Sequence, residues 1–287
     1  MSGPTHPSPP SSPDSGGGGG AWASTGQRAV RPALAQDART TMGTRFGEAA
    51  AVYDRVRPRY PDAVYDWLHA AFTAPGRCAD VGAGTGIFGA GLRDRGWSVI
   101  GVDPDAELRA LHPDPVCAGR AEALPLDDAS VDLVTVAQAW HWIDPTAAAA
   151  EFRRVLAGAG AAAIVLNQLD VRVEWVLRLA RIMHAGDVYR PSWRPELEGF
   201  GTPSVGAFAF STRVTVEDVV ALAATRSYWL RSSPRVRDRV ESNIRAFLAD
   251  EGRGLAAEAG GLVAEDGMPD RFDLPYLCLA HLIRPGT

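Results

Sequence analysis

Cysteine is scarce in this chain. Only Cys78, Cys117 and Cys278 occur among 287 residues, far apart, odd in number and each set among apolar neighbours. That excludes a disulfide framework and fits reduced core thiols in a cytosolic protein. CxxC and HExxH spacings are both missing, so no metal site is expected. No apolar run reaches the ~18 to 20 residues of a membrane span. Met1 opens onto Pro, Ser and Gly instead of a basic segment followed by an apolar one. The expected location is therefore the cytoplasm, with no membrane partner. A basic stripe is lacking as well: 29 basic residues lie scattered among 34 acidic ones, for a net charge of -5. Proteins that track phosphate chains concentrate positive charge, so nucleic acid is not expected as a partner.

The first stretch is also poor in apolar surface. From Ser2 to about Thr40 it is rich in Pro, Ser, Gly and Ala, including the run Gly16 to Gly20. Such a composition cannot offset the entropy of ordering, so residues 1–43 are read as a disordered leader. The remainder, 44–287, is long enough for one large α/β domain that buries about three quarters of its unfolded surface.

What the domain does have is alternation. Phe46, Ala50 and Tyr53 share one helix face, Pro58 and Pro61 end that segment, and a second helix is expected from Asp62 to about Ala74. Together they make residues 44–76 a helical prelude. Strands are then expected at Arg77 to Val81, Ser98 to Val102, near Val116, at Val131 to Ala137 and at Ala161 to Asn167. Helices are expected at Ile87 to Arg95, Asp105 to Leu111 and Pro145 to Leu156. Apolar runs of about five residues between helices are what a parallel sheet buried on both faces requires. Residues 77–167 are thus the ordered core. In 168–287 the pattern loosens: helices at Val171 to Ala185, Val216 to Ala224 and Arg235 to Ala249, an apolar run around Ala207 to Val214, and a last strand, Pro275 to Ile283.

One stretch carries chemistry. Cys78-Ala79-Asp80-Val81-Gly82-Ala83-Gly84-Thr85-Gly86 runs a strand through glycines into a helix. Glycines permit a tight turn with no side chain between backbone and ligand, and a helix start offers unpaired N–H groups and a positive dipole end. A plain strand-to-helix turn would look similar. The spacing is GxGxG and not the GxGxxG of a nicotinamide dinucleotide site. Asp103 follows the next apolar strand, about twenty residues on, where an acid can accept hydrogen bonds from both hydroxyls of a ribose. It can also serve as a helix cap, although Pro104 separates it from the helix and Asp105 is the better cap candidate.

Asp80, Gly82, Gly84, Gly86 and Asp103 together resemble the class I S-adenosylmethionine-dependent methyltransferases, in particular the methyltransferase type 11 domains. The segment Gly119 to Leu133 is similar to that family's adenine loop and fourth-strand lead-in, and Arg154-Val155-Leu156-Ala157-Gly158-Ala159-Gly160 to its RVLKPGG turn, with Ala157 and Ala159 departing from it. Tyr53 to Pro61 and Gln138-Ala139-Trp140-His141-Trp142 resemble the trans-aconitate methyltransferase-like branch. The resemblance spans Phe46 to Ile283, with dense motifs only to Asn167. It implies a doubly wound, mostly parallel seven-stranded Rossmann-like sheet with its last strand antiparallel. It further implies S-adenosyl-L-methionine as cofactor. The backbone of Gly82, Ala83, Gly84, Thr85 and Gly86, with Asp80, would meet its methionine part, and Asp103 with Pro104 its ribose. Ala121 and Glu122 would flank its adenine, Gln138 would stand at the methionine end, and Tyr53, Arg57 and Tyr60 would form a lid.

The implied activity is methyl transfer to a small-molecule acceptor whose O, N or C nucleophile is left open. His141 is the candidate general base, because a neutral imidazole can take an acceptor proton at cytoplasmic pH; a packed histidine between two tryptophans is the alternative. A nicotinamide-dependent reductase and a non-catalytic protein that kept the fold are the competing functions.

Overall fold

The structure is a computed structural model and describes residues 55–185, 188–259 and 271–286. The leader, Tyr53 and the helix expected around Phe46 lie outside the described residues. Seven strands form one sheet: β1 (Arg77–Val81), β2 (Ser98–Asp103), β3 (Val116–Ala118), β4 (Val131–Ala137), β5 (Leu156–Leu169), β6 (Ser204–Val214) and β7 (Phe272–Ile283). Their order is β3-β2-β1-β4-β5-β7-β6. All pairings from β3 through β5 are parallel, whereas β7 is antiparallel to both β5 and β6. The order reverses between β1 and β4, so their carboxyl ends open a crevice that the neighbouring loops cannot fill.

The helices are α1 (Asp62–His69), α2 (Ile87–Arg93), α3 (Ala106–Leu111), α4 (Pro145–Val155), α5 (Glu174–Ile182), α6 (Val216–Ala224), α7 (Ser227–Leu230) and α8 (Pro234–Ala259). Because strand side chains alternate, each strand feeds two cores. Ala79, Val81, Val134, Val136, Ile164 and Leu166 pack with Phe152 and Val155 of α4. Their neighbours Cys78, Leu133, Ala163 and Val165 pack on the other face with Leu68 of α1 and Phe88 and Leu92 of α2. A third core, around Leu169, Leu274 and Tyr276, joins the far ends of β5 and β7 to α5, α6 and α8.

Several boundaries differ from those the pattern implies. The helix begun at Asp62 stops at His69, and β5 starts at Leu156, directly after α4 and ahead of the apolar run. Asp170 and Val171 form a turn before α5, with the Val171 N–H donating to the Leu169 carbonyl at 2.9 Å. β7 begins at Phe272, three residues before Pro275. Proline is tolerated there because its carbonyl accepts from the Asp170 N–H at 3.0 Å, just past the last β5 pair, Leu169 with Tyr276. Its missing donor therefore falls where β5 has already ended. Asp105 does cap α3, accepting from the N–H groups of Glu107 and Leu108 at 2.9 and 3.1 Å.

Candidate functional site

The crevice between β1 and β4 is built from the backbone outward. Gly82, Gly84 and Gly86 all have positive φ, at 71°, 56° and 84°, a region that costs other residues ~1–2 kcal/mol. A Cβ on Gly82 would lie 2.5 Å from that of Ala139, while one on Gly84 would meet nothing within 4 Å. Gly82 is therefore needed for packing, and Gly84 leaves its open side to the crevice. The turn is fixed from the next strand. Asp103 Oδ2 accepts from the Gly84 N–H at 2.8 Å and Oδ1 from the Asp105 N–H at 2.8 Å. Burial raises the Asp103 carboxyl pKa, and these two bonds oppose the rise.

Beneath the turn, Asp80 is 1% exposed. Its Oδ1 accepts from the Thr135 hydroxyl at 2.8 Å, whereas Oδ2, beside the Gly89 backbone, has no well-formed hydrogen bond among the described residues. Burial pushes its pKa up to about 6, against the Thr135 bond and the nearby Arg93 charge. Beside it, Gln138 follows the last residue of β4, and its φ of 59° puts a non-glycine residue in the left-handed region. Two bonds hold it there: its N–H donates to the Val165 carbonyl at 2.9 Å, and its Nε2 to the Asn167 carbonyl. Strained backbone held by its surroundings is common at ligand sites.

Across the mouth lies the segment Arg57 to Tyr60. The Tyr60 ring meets Phe88 edge-on at 4.8 Å, and Asn167 Nδ2 donates to the Pro58 and Arg59 carbonyls at 3.5 and 3.4 Å. The space left beneath is about 60 Å³, lined by this segment, Asp80, Gly82 to Thr85, Ile87, Phe88, Ala137, Gln138 and Asn167. Ligand pockets usually offer ~300–1,000 Å³, so the strap fills most of the crevice. A roomier hollow of about 330 Å³ lies by Arg77, Ser98 and Val131. Those residues start β1, β2 and β4, the end opposite to where such sheets bind ligands.

The structure thus brings together Asp80, Gly82, Ala83, Gly84, Thr85 and Gln138, with Asp103 one bond away and Gly86 starting α2. Pro104 is exposed beside Asp103. Ala121 and Glu122 do not line the cavity: Ala121 is packed in the α4-side core, and Glu122 Oε1 accepts from the Asp144 N–H at 2.8 Å. Their loop is pinned by Arg154, which donates to the carbonyls of Leu124 and Leu126 at 3.0 and 2.7 Å. His141 sits in a single 3₁₀ turn, Trp140–Trp142, exposed and off the cavity lining, with its ring 4.7 Å from that of Trp142. Asn167 is the site residue that sequence reasoning passed over. Its signal was a polar side chain closing an otherwise apolar strand at its carboxyl end. Among the described residues no group of three potential ligands gathers to hold a metal, and no helix is long and apolar enough to cross a membrane.

Comparison with known proteins agrees with this geometry. The methyltransferase domain family matches residues 79–164. A methyltransferase of Mycobacterium tuberculosis, itself uncharacterized, is 41% identical over 218 residues, covering 74% of this chain and 88% of that protein. An uncharacterized methyltransferase-like protein of Schizosaccharomyces pombe is 33% identical over 214 residues, covering 69% and 84%. A solved structure from Anaeromyxobacter dehalogenans, assigned as a type II methyltransferase, superposes with a TM-score of 0.51 at 26% identity, over 80% of this chain and 97% of that one. Sheet order, glycine turn and relatives coincide, and the chain belongs to the class I S-adenosylmethionine-dependent methyltransferases.

Proposed function

We propose that this methyltransferase moves a methyl group from S-adenosyl-L-methionine to a small-molecule acceptor held over the carboxyl ends of β4 and β5. One observation carries the reading: Asp80, the glycine turn and Gln138 face a single cavity, with Asp103 bonded to that turn. The residues present fit the cofactor. Gly84 has an empty side and Asp80 Oδ2 has no well-formed hydrogen bond among the described residues, which suits the ammonium of an amino acid. In this reading the backbone of Gly82 to Gly86 holds the methionine part, and the spare lone pairs of Asp103, beside Pro104, hold the ribose hydroxyls. The loop of Ala121 and Glu122 borders the adenine, and Tyr53, which lies outside the described residues, is a further cofactor contact. When bound, the cofactor supplies an electrophilic methyl on a sulfonium. The protein contributes alignment of the nucleophile about 3 to 3.5 Å from that carbon and exclusion of water.

Because the strap lies across the crevice, it swings out to admit the cofactor and returns over it. His141 serves as base for a hydroxyl acceptor at the mouth, outside the enclosed space. His141→Asn, assayed across pH, decides that role by loss or retention of the acidic limb of the rate profile. Residues 44–287 make up the catalytic domain behind a dispensable leader. Calorimetry with S-adenosylhomocysteine, then release of labelled methyl to a panel of small acceptors, tests the whole reading. No binding of S-adenosylhomocysteine by the folded protein overturns it.

A further inference from the structure

Asn167 is an amide of the site whose two ends are told apart by their surroundings. Its side chain is 8% exposed. Nδ2 donates to two carbonyls, those of Pro58 and Arg59, and a flipped amide would set oxygen against both. These contacts set nitrogen toward the strap, which leaves Oδ1 as the end of the amide open to a ligand in the cavity that Asn167 lines. Oδ1 is buried and has no hydrogen-bond partner among the described residues. Leaving a buried carbonyl oxygen unsatisfied is costly, and a ligand donor would remove that cost.

Its place in the sheet says which part of a ligand supplies that donor. Strands are ~4.8 Å apart, and Asn167 lies two strands from the glycine turn, with Gln138 between them. A cofactor seated on the β1 turn, with its ribose toward Asp103 on β2, has its methionine end near Gln138. Asn167 then stands on the far side of the transferred methyl.

We infer that Asn167 Oδ1 accepts a hydrogen bond from the nucleophilic atom of the methyl acceptor, so the acceptor carries an N–H or O–H there and is not a carboxylate. This rests on the methyltransferase reading above and narrows it. A neutral amine in this pose donates one N–H to Oδ1, which turns its lone pair toward the methyl. The N–C bond forms as the C–S bond breaks, the electron pair stays on sulfur, and the product ammonium releases its surplus proton to water. An amine needs no base. A hydroxyl acceptor makes the same contact but needs a base, the role given to His141.

Sinefungin tests this without knowledge of the acceptor, because it carries an amine-bearing carbon where the cofactor has its methyl sulfonium. Calorimetry should show wild-type protein binding sinefungin about tenfold tighter than S-adenosylhomocysteine, the scale of one buried hydrogen bond. Asn167→Leu should bring the two affinities within about threefold, while Asn167→Asp should widen the gap, because an anionic acceptor makes the stronger bond. Loss of the Asn167 bonds to the strap weakens both ligands alike and leaves their ratio unchanged. A wild-type ratio near one, or a ratio that neither variant moves, overturns the role of Asn167 and leaves methyl transfer standing. Failure of the wild type to bind either ligand overturns both.

Discussion

Asp103 and Gly84 are joined across two strands: the carboxylate Oδ2 accepts from the glycine N–H at 2.8 Å. The acid at the end of β2 is thus part of the turn it faces, and it shapes the cradle before any ligand arrives.

That double duty sets the expected behaviour of Asp103→Ala. Cofactor binding should weaken by about 1.5–3 kcal/mol, the scale of hydrogen bonds to a charged group, and the fold should persist at a lowered Tm because the Gly84 and Asp105 N–H groups lose their acceptor. Asp103→Asn keeps one acceptor oxygen and should fall between the two. A folded alanine variant with an unchanged dissociation constant for S-adenosylhomocysteine would sink the ribose role.

Asp80 should trade stability for binding. Its folded pKa, raised by burial to about 6 from an ordinary 3.8, means that between those values the native protein holds a proton the unfolded chain has released. The stabilisation from this proton is full below 3.8 and is lost as pH rises through about 6. At pH 7 and above the buried carboxylate costs up to about 3 kcal/mol, since each tenfold difference in proton affinity between the folded and unfolded chain is worth ~1.4 kcal/mol. Asp80→Asn should therefore raise Tm at pH 8 while weakening S-adenosylhomocysteine binding, and wild-type affinity should fall as pH drops below about 6. Equal Tm values for the two proteins at pH 8 would show that the carboxylate is not strained.

His281 works in the opposite sense. It is buried, its ring Nε2 lies 3.0 Å from the Trp193 carbonyl, and Nδ1 has no well-formed hydrogen bond among the described residues. Burial holds its pKa below the usual 6.5. Below 6.5 the unfolded chain takes up a proton that the native state refuses, so stability is lost as pH falls from there toward the lowered value. Burial lowers the His112 pKa as well, with the same sign. Because Asp80 offsets this near pH 5 to 6, the effect is best read in the Asp80→Asn background. There, His281→Gln should flatten the decline of Tm below pH 6.5. An unchanged decline would assign it to other groups.

The parts of this molecule legible in sequence are those fixed by local rules. Short apolar runs between helices marked β1, β2 and β4, and the GxGxG spacing marked the turn, because each depends on a few adjacent residues. Asp105 was legible as a cap for the same reason. The ends of β5 and β7 were not, since β7 continues before Pro275 only because β5 has stopped opposite it. Glu122 is given as an adenine neighbour by its motif, whereas the bond of its carboxylate to the Asp144 N–H, a contact across 22 positions of sequence, could not be read from it. Asn167 escaped notice because its meaning lies in two bonds to Pro58 and Arg59, more than 100 residues away. His141 was legible as a residue after β4, but its exposure follows from how the 3₁₀ turn faces.

Gln138 separates backbone geometry from side-chain chemistry at the end of β4. Its left-handed φ of 59° costs about 1–2 kcal/mol in a non-glycine residue, and glycine would remove that cost. Glycine would also delete the Nε2 bond to the Asn167 carbonyl, worth about 1 kcal/mol, so Gln138→Gly should keep its Tm within a few degrees of wild type. Function should not be spared, because the lost amide borders the cavity and holds the end of β5 at its distance from the glycine turn. With alignment of nucleophile and methyl as the main source of rate, a displacement near 1 Å costs about a hundredfold. The expected result is a fall in kcat of that order with S-adenosylhomocysteine affinity changed by less than about threefold. Gln138→Ala removes the same amide but keeps the strained φ, so it should match the glycine variant in kcat and be the less stable of the two. If Gln138→Gly keeps wild-type kcat, the side chain has no part in alignment and the left-handed residue serves only the turn that leads into Trp140.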